Sequence, residues 1–248
     1  MKTLIVIPAR MASTRFPGKP LVDILGLPMI EHVRRRVLLH PEVNSAIVAT
    51  CDKEIFDMVK SYGGQSIMTS SDHFCCNDRV SEAAIDVDAD IILNVQGDEP
   101  LIQPETIGKT IPYFQDQSID IVNIMSCLET KEAFENENNV KVVVNNSNDA
   151  LYFSREPIPS SWKGWKEIPR FMQTGIIAFR RGALINFNSM EETKLEKIES
   201  VDMNRILENG GKIRMILTEE ITIGVDVPDD LVMAEKLLVN DHAMKGYL

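Results

Sequence analysis

At 248 residues, with 44% hydrophobic residues and a formal net charge of −11, the chain can bury a core that needs neither disulfides nor metal. The acidic balance argues against nucleic-acid binding, which wants a basic face, and no stretch approaches the roughly twenty apolar residues of a membrane span. Cys51, Cys75, Cys76 and Cys127 show no C-x-x-C spacing and read as free thiols of a reducing compartment; the first apolar run is too short for a signal peptide, so a cytoplasmic protein is expected.

In chain order, residues 3–7 form an apolar run that predicts a buried strand. It breaks at Pro8-Ala9 into a loop carrying Arg10, Arg15 and Lys19 among Ser13, Thr14 and Gly18. Backbone N–H groups and cations in such a loop suit a polyanion, although the pattern is neither a Walker loop nor a G-x-G-x-x-G turn. Pro28 opens a helix with Met29, Ile30, Val33 and Val37 on one face, and Ala46–Ala49 is the second strand. Asp52 is placed to cap a helix that Gly63-Gly64 stops, residues 65–69 form a third strand, and a helix spans about 79–87. Ile91–Val95 is the fourth strand, ending in Gln96-Gly97-Asp98-Glu99-Pro100, and Pro104 starts another helix. Strands joined by helices of this length predict a mostly parallel sheet, an α/β fold.

The second half differs. Residues 119–125, 140–144 and 150–153 are strand-like, with a hairpin signal at Asn145–Asp149. Residues 160–169 read as a long loop or lid, 175–179 as a strand, 196–208 as one helix and 213–217 as a strand. Val225-Asp226-Val227-Pro228-Asp229-Asp230 leads into a last helix.

Ligands of open α/β sheets bind beyond the carboxyl ends of the strands, where strand order reverses. With the fourth strand beside the first, Asp98 reaches the rim next to the Arg10–Lys19 loop, and Asp226 stands at a similar strand-to-helix transition. Two carboxylates beside a phosphate-binding loop are suited to Mg²⁺. Singly, Asp98 also fits a turn, Asp226 or Asp229 a helix cap, and the cations exposed loop charges; the signal is their joint occurrence. His73-Phe74-Cys75 is a poor zinc set.

Residues 7–21 (Ile-Pro-Ala-Arg-Met-Ala-Ser-Thr-Arg-Phe-Pro-Gly-Lys-Pro-Leu) closely resemble the opening of CMP-Kdo synthetases, the 3-deoxy-manno-octulosonate cytidylyltransferases. Asn94-Val95-Gln96-Gly97-Asp98-Glu99-Pro100, Val140-Lys141-Val142-Val143, Ala150–Arg155 and Gly224-Val225-Asp226 extend the resemblance along most of the chain. The resemblance implies a glycosyltransferase-A-like nucleotidyltransferase fold in one domain over 1–248, in which about 1–118 and 205–248 bind nucleotide and metal and about 119–204 bind sugar and form the dimer. It implies CMP transfer from CTP to an acidic sugar, Mg²⁺ as cofactor and a homodimer. Pro8, Ala9, Arg10, Arg15, Lys19, Asp72, Asp78, Arg79 and Asp98 would bind the nucleotide. Gln96, Arg155, Gln173, Glu196, Glu199 and Met203 would bind the sugar, and Asp98 and Asp226 the metal. Catalysis would fall to Arg10, Lys19, Asp98 and Asp226.

Three segments depart from the family pattern. His-Gln-Ser-Gly-Thr-Asp-Arg becomes His73-Phe74-Cys75-Cys76-Asn77-Asp78-Arg79, a histidine near the sugar becomes Gln173, and a glutamine becomes Met203. The first change bears on the base pocket and the strictness of the CTP preference; the other two predict an acceptor that is a variant, such as an amino-substituted Kdo or another ulosonate, with Kdo itself as the alternative. A non-ulosonate acid acceptor and an inactive nucleotide-binding homologue are the competing readings.

Overall fold

The apolar run after Lys2 becomes strand β1 (Thr3–Ala9) in the computed structural model, which describes residues 1–12, 15–73, 75–165, 168–220 and 224–248. Every residue of β1 is buried, as a strand covered on both faces requires. Two compact units result, one of Met1–Lys109 with Ile221–Leu248, the other of Thr110–Glu220.

In the first unit a short hairpin, β2 (Asp23–Ile24) and β3 (Leu27–Pro28), leads into helix α1 (Met29–Val37). Met29, Ile30, Val33 and Val37 are fully buried, the face expected from their spacing. Strand β4 (Ser45–Thr50), helix α2 (Lys53–Ser61), strand β5 (Gln65–Met68), helix α3 (Cys76–Ala84), strand β6 (Ile91–Val95) and the one-turn helix α4 (Pro104–Gly108) follow. The sheet runs β5-β4-β1-β6, all parallel. The chain steps outward from β1 to β4 and β5, then crosses to β6 on the other side of β1. Strand order therefore reverses between β1 and β6, which is where a ligand crevice is expected.

Arg36 of α1 is fully buried. Its guanidinium donates to the Ile102 carbonyl at 2.6 Å and pairs with Asp241 at 2.8 and 3.1 Å. Burial pushes the Asp241 carboxyl up, but the Arg36 hydrogen bond and the Met244 N–H outweigh it and the net shift is downward. The segment following β6 is thus locked to the stretch after the C-terminal helix (Pro228–Leu238).

The second unit begins with a 3-10 turn at Ile111–Gln115, then β7 (Ile121–Cys127), helix α5 (Lys131–Glu135), β8 (Lys141–Val144) and β9 (Ala150–Ser154). Strand β10 (Phe171–Arg180) and helices α6 (Arg181–Ser189), α7 (Lys194–Glu199) and α8 (Met203–Glu208) lead to β11 (Arg214–Thr218). β7 pairs with β11 in parallel and with β10 antiparallel, and β8 pairs antiparallel with β10 and β9. The β8–β9 hairpin turns at Asn145, whose side-chain oxygen accepts from the Ser147 and Asp149 N–H groups.

Four sequence expectations change. The helix expected over 196–208 is two helices, because Ser200 adopts a left-handed conformation at φ 53° and ψ 47°. Residues 205–220 belong to the second unit rather than with the C-terminal segment, since β11 pairs with β7. The helix expected at about 79–87 begins at Cys76 and ends at Ala84. Asp52 precedes α2 but makes no side-chain cap; its carboxylate instead accepts the Met11 N–H at 2.7 Å. Ser13, Thr14, Phe74 and part of the loop at 160–169 lie outside the described residues. No helix among the described residues is long and apolar enough to cross a membrane.

Breaking a buried ion pair from one side costs about 3–5 kcal/mol, so Arg36→Ala should lower the melting temperature sharply at neutral pH. Asp241 has a depressed folded pKa, so its stabilisation is present above the unfolded carboxyl value and is lost as pH falls through the folded value. Asp241→Asn should therefore be less stable than the parent near neutrality and converge with it in acid; parallel melting curves across that range would refute this.

Candidate active site

The loop after β1 is tied at both ends. Met11 N–H is held by Asp52, and Gly18 N–H donates back to the Met11 carbonyl at 3.1 Å. Gly18 has φ +75°, a left-handed conformation that glycine adopts freely, and its carbonyl accepts the Leu21 N–H at 3.0 Å. The result starts a 3-10 turn at Lys19–Leu21 and leaves the Lys19 side chain only 11% exposed.

Lys19 Nζ lies 2.7 Å from Asp98 Oδ2 and 3.1 Å from Asp226 Oδ1, and Arg15 approaches the same Asp226 oxygen at 3.1 Å. The expected joint occurrence of these residues is thus observed as contact. Two backbone features set it. Gly97 lets the end of β6 approach β1, because a Cβ there would meet Ile30 Cδ1 at 2.8 Å and the Pro8 carbonyl oxygen at 3.0 Å. Val225 N–H donates to the Asp98 carbonyl at 2.8 Å, which joins the two carboxylate-bearing segments. Val225 also sits in a buried cluster with Ile24, Met29, Leu101, Ala234 and Leu238, against which Phe16 of the loop packs. Asp226 and Val227 N–H groups are capped by Asp230, so the cap of the last helix is Asp230 rather than Asp226 or Asp229.

Around this ion cluster is a cavity of about 280 Å³. Pro8, Ala9, Arg10, Arg15, Lys19, Arg79, Gln96, Asp98 and Asp226 line it, all expected from the sequence. Asp72 and Asp78 do not line it: Asp72 is exposed and precedes α3, and Asp78 is half-buried in the first turn of α3. His73, Cys75 and Cys76 take their place in the wall. His73 matches the family pattern, and the signal for Cys75 and Cys76 was their departure from it, which marks them as neighbours of the site without showing which of them face it.

The His73 Nε2 is hydrogen-bonded to the Glu82 carboxylate, which also accepts the Ser70 N–H at 3.0 Å. Burial raises the Glu82 carboxyl, but the His73 and Ser70 hydrogen bonds outweigh it and the net shift is downward. Arg79 is buried and donates to the Thr69 hydroxyl. All four cysteines are free thiols.

Of the residues expected at the sugar, only Gln96 belongs to the first unit. In the second, Glu199 accepts from the Tyr152 hydroxyl at 2.8 Å, the Ser154 hydroxyl at 2.9 Å and the Arg155 N–H at 2.8 Å. Burial raises the Glu199 carboxyl, these hydrogen bonds outweigh it, and the net shift is downward. Burial and the bond to Glu199 push the Tyr152 hydroxyl up to about 12. The Arg155 guanidinium donates to the Glu199 and Glu137 carbonyls, at 2.9 Å each. Gln173 lies on β10, opposite Met125 of β7.

Two further residues expected at the sugar are buried. Glu196 closes a two-pronged ion pair with Arg205 at 2.5 and 2.8 Å and caps its own helix, so its carboxylate is spent on joining α7 to α8. Met203 is fully buried and packs in the core. Both contribute to the packing of the second unit, which helical spacing alone does not reveal.

Residues 4–216 match the family model of the cytidylyltransferases. A 3-deoxy-manno-octulosonate cytidylyltransferase of Trichlorobacter lovleyi is 41% identical over 95% of this chain and 98% of its own length. One from Geobacter metallireducens is 42% identical over 96% and 98%. A CMP:2-keto-3-deoxy-manno-octonic acid synthetase solved in complex with CTP superposes with a TM-score of 0.90 at 38% identity, covering 96% of this chain and 99% of that one. At 16% identity and a TM-score of 0.65, a 4-diphosphocytidyl-2C-methyl-D-erythritol synthase of Anaerococcus prevotii, aligned over 96% and 99% of the two chains, shares the fold alone. Sequence, fold and the cation-lined crevice agree: the chain belongs to the cytidylyltransferases, and within them to the 3-deoxy-manno-octulosonate cytidylyltransferase family.

Proposed function

We propose that the chain transfers CMP from CTP to the hydroxyl of an acidic sugar, Kdo or a close relative of it, with release of pyrophosphate. One observation carries this most directly: the Lys19 ammonium held between Asp98 and Asp226 at the rim where strand order reverses, with Arg10 and Arg15 beside it. The likeness to relatives named for the Kdo reaction supports the acceptor.

The work of the site is positioning and charge compensation. Arg10, Arg15 and Lys19 bind the triphosphate and offset the charge that grows on the departing pyrophosphate. Pro8, Ala9 and Gly97 bring backbone close to the nucleotide, and His73, Cys75, Cys76 and Arg79 of the wall lie against the base. The attacking group is the anomeric hydroxyl, whose oxygen bonds to the α-phosphorus as the bond to the β-phosphate bridging oxygen breaks.

Asp98 and Asp226 fit Mg²⁺: two hard carboxylate oxygens already converge on one cationic centre, and the ion takes few protein ligands beside water and phosphate oxygens. Bound there, Mg²⁺ would supply charge neutralisation at the α-phosphate. In the same reading the first unit handles nucleotide and metal, the second carries sugar and dimer contacts, and the protein works as a cytoplasmic homodimer.

Gln173 and Met203, where the family pattern has a histidine and a glutamine, are the grounds for a variant acceptor. Pyrophosphate release from CTP and Mg²⁺ across a panel of acidic sugars should be fastest with Kdo or a substituted Kdo. Tight CTP binding without turnover of any acid would favour an inactive nucleotide-binding homologue, and turnover of a non-ulosonate acid alone would favour the other competing reading.

Asp98→Asn and Asp226→Asn should each lower kcat by about a hundredfold or more, the scale at which losing one preorganised charge-compensating group is felt, with melting temperature as the folding control. Full activity in a folded variant would remove that carboxylate from the site. Gln173→His should lower KM for Kdo if this position faces the sugar; an unchanged KM would place it elsewhere.

A further inference from the structure

Asn94 and Gln96 lie two residues apart at the end of β6, so they share one side of the sheet. Asn94 is fully buried, and so, within a per cent, is Asn77 in the first turn of α3. Asn94 Nδ2 donates to Asn77 Oδ1 at 2.9 Å, Gln96 Nε2 donates to Asn94 Oδ1 at 3.3 Å, and the Cys76 thiol donates to Gln96 Oε1 at 3.5 Å. Cys76 and Gln96 line the cavity.

We infer that Asn77 and Asn94 are positioning residues that fix the polarity of the Gln96 amide, so that its carbonyl oxygen faces the cavity as a dedicated acceptor for a hydroxyl of the sugar. The inference deepens the proposed function and rests on it for the identity of the ligand. A carboxamide alone can present either its oxygen or its NH₂. Here the chain is directional. Because Asn77 offers oxygen, Asn94 must offer NH₂ to it and oxygen to Gln96, and Gln96 then turns its NH₂ inward. Its oxygen is left with the weakest donor among side chains, a thiol, which a substrate hydroxyl displaces at little cost. A substrate group that brings only acceptors to this spot would meet oxygen with oxygen and leave it unpaired, which is costly in a buried site. Cys76 and Asn77 stand where the resembled family pattern has glycine and threonine, so the thiol and the amide that head this relay belong to this chain's own version of the site.

The test is a double-mutant cycle with both substrates varied. Asn77→Ala should raise KM for the acidic sugar about tenfold while KM for CTP stays within about twofold. The same substitution made in Gln96→Ala should add nothing, because the group it aims is gone. Asn77→Thr, which keeps an oxygen acceptor, should restore most of the loss. In the ligand-free protein, the Asn94 side-chain amide protons should resist exchange, and the Gln96 amide resonance should move in Asn77→Ala. Equal effects on both substrates, additivity with Gln96→Ala, or a Gln96 resonance that does not move would overturn the relay. Failure of the parent protein to turn over any acidic sugar would overturn the functional reading instead, and the resonance measurement would still decide the relay.

Discussion

The site depends on one ammonium group placed between two carboxylates. Asp98 and Asp226 are 128 residues apart in sequence, and like charges converging at the mouth of a cavity repel unless a cation sits between them. Lys19 supplies that cation from a side chain that is itself nearly buried. The arrangement explains why the loop after β1 must be short and tied down. A mobile loop would leave Lys19 in solvent, where an ion pair contributes little, and would leave the carboxylates uncompensated. The same geometry also suits chemistry, since acidic oxygens that accept one cation can exchange it for another when polyphosphate arrives to share the lysine and arginines.

Holding that cluster takes more than charge. The Gly97 approach to β1, the Val225–Asp98 backbone bond and the apolar cluster around Val225 fix where the carboxylates stand. Arg36 fixes the same region from behind by clamping Leu101 and Ile102 carbonyls and Asp241 together. Backbone contacts and packing therefore place the charges, and the charges do not have to assemble the fold. A charge-removing substitution in the cavity should for that reason cost activity long before it costs stability, whereas a substitution behind it does the opposite.

What the sequence reveals follows from how local each signal is. Strand β1, the cation loop and the Gln96–Pro100 turn are contiguous, and their periodicity and turn residues suffice to locate them. The pairing of β6 with β1 needed only the topology expected of parallel sheets. The break at Ser200 did not announce itself, because Leu195–Leu207 has continuous helical composition; the break follows from a tertiary demand, the Glu199 carboxylate serving Tyr152, Ser154 and Arg155 while Arg205 reaches back to Glu196. Asp72 and Asp78 are absent from the cavity lining for a related reason. Charge suggested function, but the start of α3 at Cys76 sets which side of the segment faces the cavity, and it selects two thiols.

That selection bears on how such a site can change its chemistry. Arg15, Lys19, Asp98 and Asp226 are bound to one another, so replacing any one of them leaves a charge without its partner. The wall formed by His73, Cys75 and Cys76 and the amides behind it are neutral or paired outside the cavity, and a neutral group can be exchanged for another of similar size at the cost of one hydrogen bond. Sequence divergence therefore has freedom along α3 and around Gln96 that it lacks at Lys19. The departures at Cys75, Cys76 and Asn77 fall in that free region, where the proposed relay would let an amide's orientation, rather than a charge, select what the cavity accepts.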